Sequence, residues 1–304
     1  MTFSLNDTAY QAVRTAFDAP WPGPRGPRVE LEAGDLSATI YPADGCRVTS
    51  FCVGGAELLR GWTPDRRAFQ YGCFPMAPWV GRMRDGRLVF NGGTYELPVN
   101  KPPHAMHGMA CFAPWQIMRT SPRSAEFVFP LGDPWPWRGS VSQRFDLTED
   151  TLRLALTVRS DAGAFPAAAG WHPWFRKELR KTDASDHPVE RSRAGRLHVV
   201  FHADWQEEPG SDELPTGRRI PVRPGPWDDC FGFAGPMHAR LDWSGRLGLD
   251  VTSAASSMVV FDKQPDATCV EPLSGPPNGI NTCPFLVTPD APLVVETGWT
   301  VKRY

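Results

Sequence analysis

From Arg28 onward, apolar and polar residues alternate with a period of two, and turn residues punctuate the alternation. In RVELEAGDLSATIYPADG, Val29 and Leu31 alternate with Glu30 and Glu32, Gly34-Asp35 marks a turn, and Leu36, Ala38 and Ile40 resume the alternation. That pattern puts the apolar side chains on one face of a pleated strand and predicts a hairpin. RLVFNGGTYELPV repeats it, and so does RFDLTEDTLRLALTVRS, in which Leu152, Leu154, Leu156 and Val158 share a face. ARLDWSGRLGLDVTS and the short run Met258 to Phe261 add further strands. Past the N-terminal linker no long segment carries a clean 3.6-residue period. Strand after strand with turn signals predicts an all-β fold, an antiparallel sandwich or barrel.

Two segments depart from this pattern. Tyr10, Val13 and Phe17 are spaced for one face of a short helix, and APWPGPRGPR then reads as an extended linker. Residues 1–27 are therefore expected to be an N-terminal helix and Pro-rich linker, and 28–304 a single domain, with no internal repeat. RKELRKTDASDHPVERSRAGR is largely polar and is expected to be a surface excursion.

Composition narrows the classes. Hydrophobic residues make up 41% and charged residues 22% of the 304, which suits a soluble globular protein with a sizeable core. A net charge of −2 gives no footprint for nucleic acid or an anionic membrane surface. The seven cysteines include no C-x-x-C pair, so they read as reduced thiols in a cytoplasmic protein. The first residues lack the basic and apolar regions of a signal peptide, and no run of about 18 apolar residues suggests a membrane span. The 12 tryptophans are expected mainly in the core, although an indole face also stacks on a sugar ring.

Three patches could carry chemistry. APWVGRMRDGRLVF, then NKPPHAMHGMACFAPW, holds Arg82, His104 and His107. The H-x-x-H spacing would suit two metal ligands on a helix face, but Pro102 and Pro103 favour a loop and no third ligand is evident, so no metal is assigned. AAAGWHPWFRKEL sets His172 between tryptophans, where it is either a proton-transfer group or a packed core histidine. Glu271, in TCVEPLSGPPN, is either a general base or a strand-end glutamate with an ion-pair partner. PGPWDDCFGF supplies Asp228 and Asp229, which could bond sugar hydroxyls or start a turn. No G-x-S-x-G elbow or Gly-rich phosphate loop occurs.

Taken in order, PWVGRMRDGRLVFNGGTYELPVN, HAMHG, GWHPWF, WDDCF and VEPLSGPPN resemble the aldose 1-epimerase (galactose mutarotase) family, from about Val29 to the C-terminus. The resemblance implies the large antiparallel β-sandwich of mutarotases and interconversion of α and β anomers of a free aldose, without a cofactor. It implies that Glu271 takes the anomeric proton, that His172 protonates the ring oxygen and that His107 assists there. Arg82 and Asp228 would bond ring hydroxyls, Asp228 being preferred to Asp229 because it stands three before Phe231. Trp171 and Trp174 would offer apolar faces to the sugar. Glu271 would need a cationic or hydrogen-bonding neighbour to ionise.

Two departures bear on which sugar is bound. Gly81 stands where many relatives have Asn, and Trp174 where the motif often has Tyr. Two rival readings stand beside this one. One is an epimerase of an anionic hexose, phosphorylated or sulfonated, with Arg176 and Lys177 at its charged end. The other is a non-catalytic carbohydrate-binding sandwich, against which His107, His172 and Glu271 together argue.

Overall fold

The computed structural model describes residues 19–181 and 196–304. The helix expected around Tyr10 to Phe17 and most of the polar excursion lie outside these residues. Two large sheets dominate, and every pairing between their strands is antiparallel. Among the described residues the first has 11 strands. At its centre Ala56–Leu59, Gly170–Lys181, Ala267–Leu273, Ser257–Phe261 and Asp228–Gly232 lie side by side, with Cys73–Met76 also paired to Gly170–Lys181. The second has eight, including Gly139–Leu147, Thr151–Ser160, Leu293–Arg303 and Leu247–Ser253.

The period-two reading survives in detail. Leu152, Leu154, Leu156 and Val158 all point into the core, and so do Leu36, Ala38 and Ile40. In the hairpin Arg87–Phe90 to Gly93–Glu96, Asn91 and Gly92 both have positive φ, 54° and 77°. Those are the angles of the tight turn whose twist matches two antiparallel strands, and Asn-Gly is its preferred sequence.

The sheets meet through Trp299 of the eight-stranded sheet, which packs on Phe51 and Phe175 of the other with ring centroids 5.6 and 5.1 Å away. Trp243 Nε1 also crosses the layer and donates to the Arg176 carbonyl at 2.8 Å. Trp21, in the Pro-rich segment, docks on the domain, its Nε1 donating to Asp44 at 2.7 Å.

One expectation fails at the edge of the polar run. Arg176 and Lys177 are strand residues of Gly170–Lys181, not a solvated loop. Lys177 is buried, its ammonium held 2.8 Å from Asp262 Oδ1 and donating to the Asp262 carbonyl at 3.0 Å. A lysine with both contacts can sit in a strand that composition alone reads as surface.

Trp299→Ala leaves a cavity where the two layers join. It is expected to cost about 3–5 kcal/mol, a large share of a typical domain's stability, read as a lowered midpoint in urea denaturation.

Candidate active site

The strand Ala267–Leu273 is buried along its whole length, and Glu271 lies within it. Its neighbour Gly170–Lys181 runs antiparallel, with Gly170 opposite Leu273 and Trp174 opposite Cys269. Two residues in from each of those pairs, His172 and Glu271 face one another, with His172 Nε2 3.3 Å from Glu271 Oε1. The row continues sideways on both flanks. Phe74 stands opposite His172, Val259 opposite Glu271, and Cys230 opposite Val259. Phe74 and Trp174 both stack on the His172 ring, at centroid distances of 4.8 and 5.2 Å, so the imidazole is clamped in plane.

A cavity of about 440 Å³ opens over this row. Arg82, His107, His172, Trp174, Asp228 and Glu271 all line it, so residues far apart in the chain converge on one volume. That volume is of the size that takes a small molecule.

His107 reaches the cavity through an unusual backbone. Its φ is 65°, Gly108 follows at 73°, and a Cβ on Gly108 would lie 2.2 Å from the Ala77 carbonyl oxygen. The segment is held there by Asn100, which bonds both backbone groups of Met106, and by the His107 amide donating to the Gly81 carbonyl at 2.9 Å. A non-glycine residue in this region is strained, and the clamp over-determines it. The ring of His107 stands perpendicular to that of His172, with centroids 5.0 Å apart.

Arg82 is fixed by the short pairing of Arg82–Met83 with Ala105–Met106, and Asn278 donates its amide to the Arg82 carbonyl at 2.7 Å. The Arg82 guanidinium pairs with Glu213 at 2.7 Å. Gly81 now has a physical reason. It sits at φ 55°, and a Cβ there would lie 3.0 Å from the Pro277 side chain, so Pro277 takes the space that a larger residue would need.

Asp228 and Asp229 both line the cavity but differ in engagement. Asp229 Oδ1 accepts from Gln206 at 2.8 Å, and its other oxygen accepts the Asp228 amide at 3.1 Å. The carboxylate of Asp228 stands 3.7 Å from Lys263, a longer and looser contact. Asp228 therefore keeps the greater hydrogen-bonding capacity for a ligand.

Burial governs the electrostatics. It pushes the Glu271 carboxyl well above its ordinary range, with Asp228 adding to the rise and Arg82 opposing it. It pushes His172 down to about 3, with Arg60 as the next cause, and it lowers His107 as well. The cation expected beside Glu271 is thus present in Arg82, but burial outweighs it, and the immediate partner is a neutral imidazole.

Several expectations are corrected here. Trp171 is fully buried in the main core and does not line the cavity; strand alternation puts Trp171 and Phe175 on the face opposite His172 and Trp174. Arg176 and Lys177 are likewise absent from the cavity wall. His104 has both ring nitrogens engaged, Nδ1 accepting the Asp85 amide at 3.2 Å and Nε2 donating to the Asp212 carbonyl at 3.0 Å. It braces two loops.

Other wall residues carried no sequence signal. Arg67, Phe69, Gln70, Lys101, Glu207 and Gln264 all contribute. Behind the wall, Arg60 lies 3.7 Å over the Trp174 ring and is tied to Asp266 at 2.9 Å, while Arg47 lies under Phe74 and is tied to Asp44. A charged residue inside a strand was the available clue to Arg47, and nothing local marked the others.

The aldose 1-epimerase family model matches residues 27–289. The uncharacterized protein YphB of Escherichia coli (strain K12) is 28% identical over 267 residues, 82% of this chain and 88% of that protein. A galactose mutarotase-like protein from Clostridium acetobutylicum superposes with a TM-score of 0.76 at 16% identity, covering 90% of this chain and 95% of its own. A galactose 1-epimerase from Lactobacillus acidophilus superposes with a TM-score of 0.72 at 17% identity, covering 90% and 93%. These two structural likenesses speak to the fold. The match of the family model over most of the sequence goes further: this chain belongs to the aldose 1-epimerase family.

Proposed function

We propose that this protein is a mutarotase that opens and closes the ring of a free, uncharged hexose and so interconverts its α and β anomers. The observation that carries this reading is the Glu271–His172 pair at 3.3 Å, buried at one side of a cavity that Arg82, His107 and Asp228 also line.

Ring opening of a hemiacetal removes a proton from O1 and delivers one to O5. No electrons change hands and no group leaves, so two side chains that exchange protons suffice. Glu271 and His172 together hold one mobile proton. In the resting pair, burial keeps it as carboxyl and imidazole, with no net charge. When the sugar enters, its hydroxyls and Arg82 supply hydrogen bonds that favour the carboxylate, and the proton passes to His172. Glu271 then takes the O1 proton while His172 gives its own to O5. The C1–C2 bond rotates, and the reverse transfers close the ring on the other face. His107, held neutral beside His172, serves as a second hydrogen-bonding group at the ring oxygen. Arg82 and Asp228 hold ring hydroxyls, and Trp174 offers an indole edge.

The charge of the wall favours a neutral sugar over an anionic one. Apart from Glu271, the acids Glu207, Glu213, Asp228 and Asp229 line it against the bases Arg67, Arg82 and Lys101. With Lys177 spent on Asp262, the basic end once assigned to an anionic substrate has no group in the cavity.

Polarimetry on freshly dissolved glucose, galactose and their relatives, after chelator treatment, is the direct test. Acceleration over buffer is expected for at least one neutral hexose. Buffer rates throughout the neutral panel, or a clear preference for glucose 6-phosphate, would overturn the assignment. His172→Asn and Glu271→Gln are each expected to lower kcat by roughly 10²–10⁴-fold, and the double variant by less than the product.

The same pair makes a stability prediction with opposite sign. Glu271 binds its proton more tightly when folded than when unfolded, where its pKa is near 4.5. Its contribution to stability is therefore complete below that value and is lost as pH rises toward the folded-state value. Glu271→Gln keeps the shape and removes the titration. Thermal unfolding of this variant should show a higher Tm than the parent at about pH 8, with the gain shrinking toward about pH 4. An unchanged difference across that range would show that Glu271 is ionised in the free protein.

A further inference from the structure

Cys269 precedes Glu271 by two residues on the same strand, so both side chains emerge on the same face. His172 projects from the neighbouring strand, opposite Glu271 and two residues from the partner of Cys269. One ligand atom from each of His172, Cys269 and Glu271 lies within 4.8 Å of the others, and all three residues are buried. The acid–base chemistry above uses the histidine and the glutamate but has no use for the thiol.

We propose that these three side chains form a binding site for a thiophilic divalent cation of the zinc type, and that occupancy of this site blocks the enzyme. The binding half stands on geometry alone, and the blocking half rests on the mutarotase reading. One nitrogen, one sulfur and one oxygen is a donor set that zinc accepts, and three protein ligands leave a fourth position open. Metal–ligand bonds of about 2.0–2.3 Å in a tetrahedron bring ligand atoms to roughly 3.5 Å from each other. His172 and Glu271 already stand 3.3 Å apart, so only the thiol has to approach. His172 and Glu271 both line the cavity, from which water or a sugar hydroxyl can complete the shell, while Cys269 lies behind its wall. Coordination replaces the Cys269 thiol proton and the Glu271 carboxyl proton, both of which leave to solvent, and it occupies the lone pairs that would move the sugar's protons.

The surroundings fit an inhibitory ion better than a resident one. A zinc-ligating imidazole ordinarily donates its other nitrogen to a second partner, and His172 Nδ1 makes no side-chain hydrogen bond among the described residues. Arg47, Arg60 and Arg82 also stand near enough to bias the titration of the pair, and they oppose a cation. Missing outer-shell support typically lowers metal affinity by roughly 10–100-fold, which places this site below structural zinc centres and within reach of a chelator.

Cobalt(II) titration of the whole protein tests binding without recourse to activity. A thiolate-to-cobalt charge-transfer absorption saturating near one equivalent, and bleached by zinc, is expected. Cys269→Ser should abolish it, and Cys269→Ala should too, without adding a polar group at a fully buried position. Cys283→Ser, at the exposed cysteine, should leave it intact. In parallel, zinc should inhibit the parent's anomer exchange reversibly, and either Cys269 variant should need at least 10-fold more zinc while keeping its metal-free rate. Absence of the absorption in the parent, its persistence without Cys269, or equal zinc inhibition of parent and Cys269 variants would overturn the proposal. A protein that shows the absorption but no epimerase activity would retain the metal site and lose the mutarotase reading.

Discussion

Glu271 and His172 face each other across 3.3 Å on two adjacent central strands, and burial favours the neutral form of each. A lone carboxylate at that depth would cost several kcal/mol. A carboxyl and an imidazole that share one proton avoid most of that cost and remain able to trade it. The rest of the site follows from this constraint. On the proposed mechanism the pair needs a cavity to meet a substrate, aromatic neighbours to fix the imidazole plane, and a cation close enough to tip the proton when a ligand arrives. Phe74 and Trp174 supply the second, and Arg82 the third.

Phe74 and Trp174 are themselves anchored by buried guanidinium groups. Arg47 is fully buried under Phe74, held by Asp44 at 3.2 Å and by the Tyr71 carbonyl at 2.9 Å, while Tyr71 also bonds Asp44. Arg60 supports Trp174 in the same way from beside Asp266. The two aromatic plates against His172 therefore rest on guanidinium groups, and the positive field of both groups helps keep the imidazole uncharged. Structural support and pKa control come from the same residues.

Much of the fold was legible because a strand announces itself locally. Leu152, Leu154, Leu156 and Val158 define a buried face by spacing alone, and Asn91-Gly92 defines its turn by the backbone angles that only a few residues tolerate. Parity would also have separated Trp174 from Trp171, since His172 and Trp174 share a face that Trp171 cannot. The strand through Arg176 and Lys177 was hidden because its lysine is paired with Asp262, a residue 85 positions away.

By itself, then, the sequence determined the all-β class, the alternation and the turns, because each of these depends on neighbours a few positions apart; for His172 and Glu271 the local residues left a structural and a catalytic reading open, and only the resemblance to a family singled them out as an acid–base pair. The match of strand to strand was decided only in three dimensions. Register sets His172 opposite Glu271, brings Cys269 alongside and turns Trp171 into the core. The depth of that register also decides protonation, since a pKa depends on how much water the surrounding layers exclude and on which charges remain nearby. Arg67, Lys101 and Glu207 reached the cavity wall by the same route, through loops and a strand next to the sheet's edge whose positions are fixed by tertiary packing and not by any local pattern.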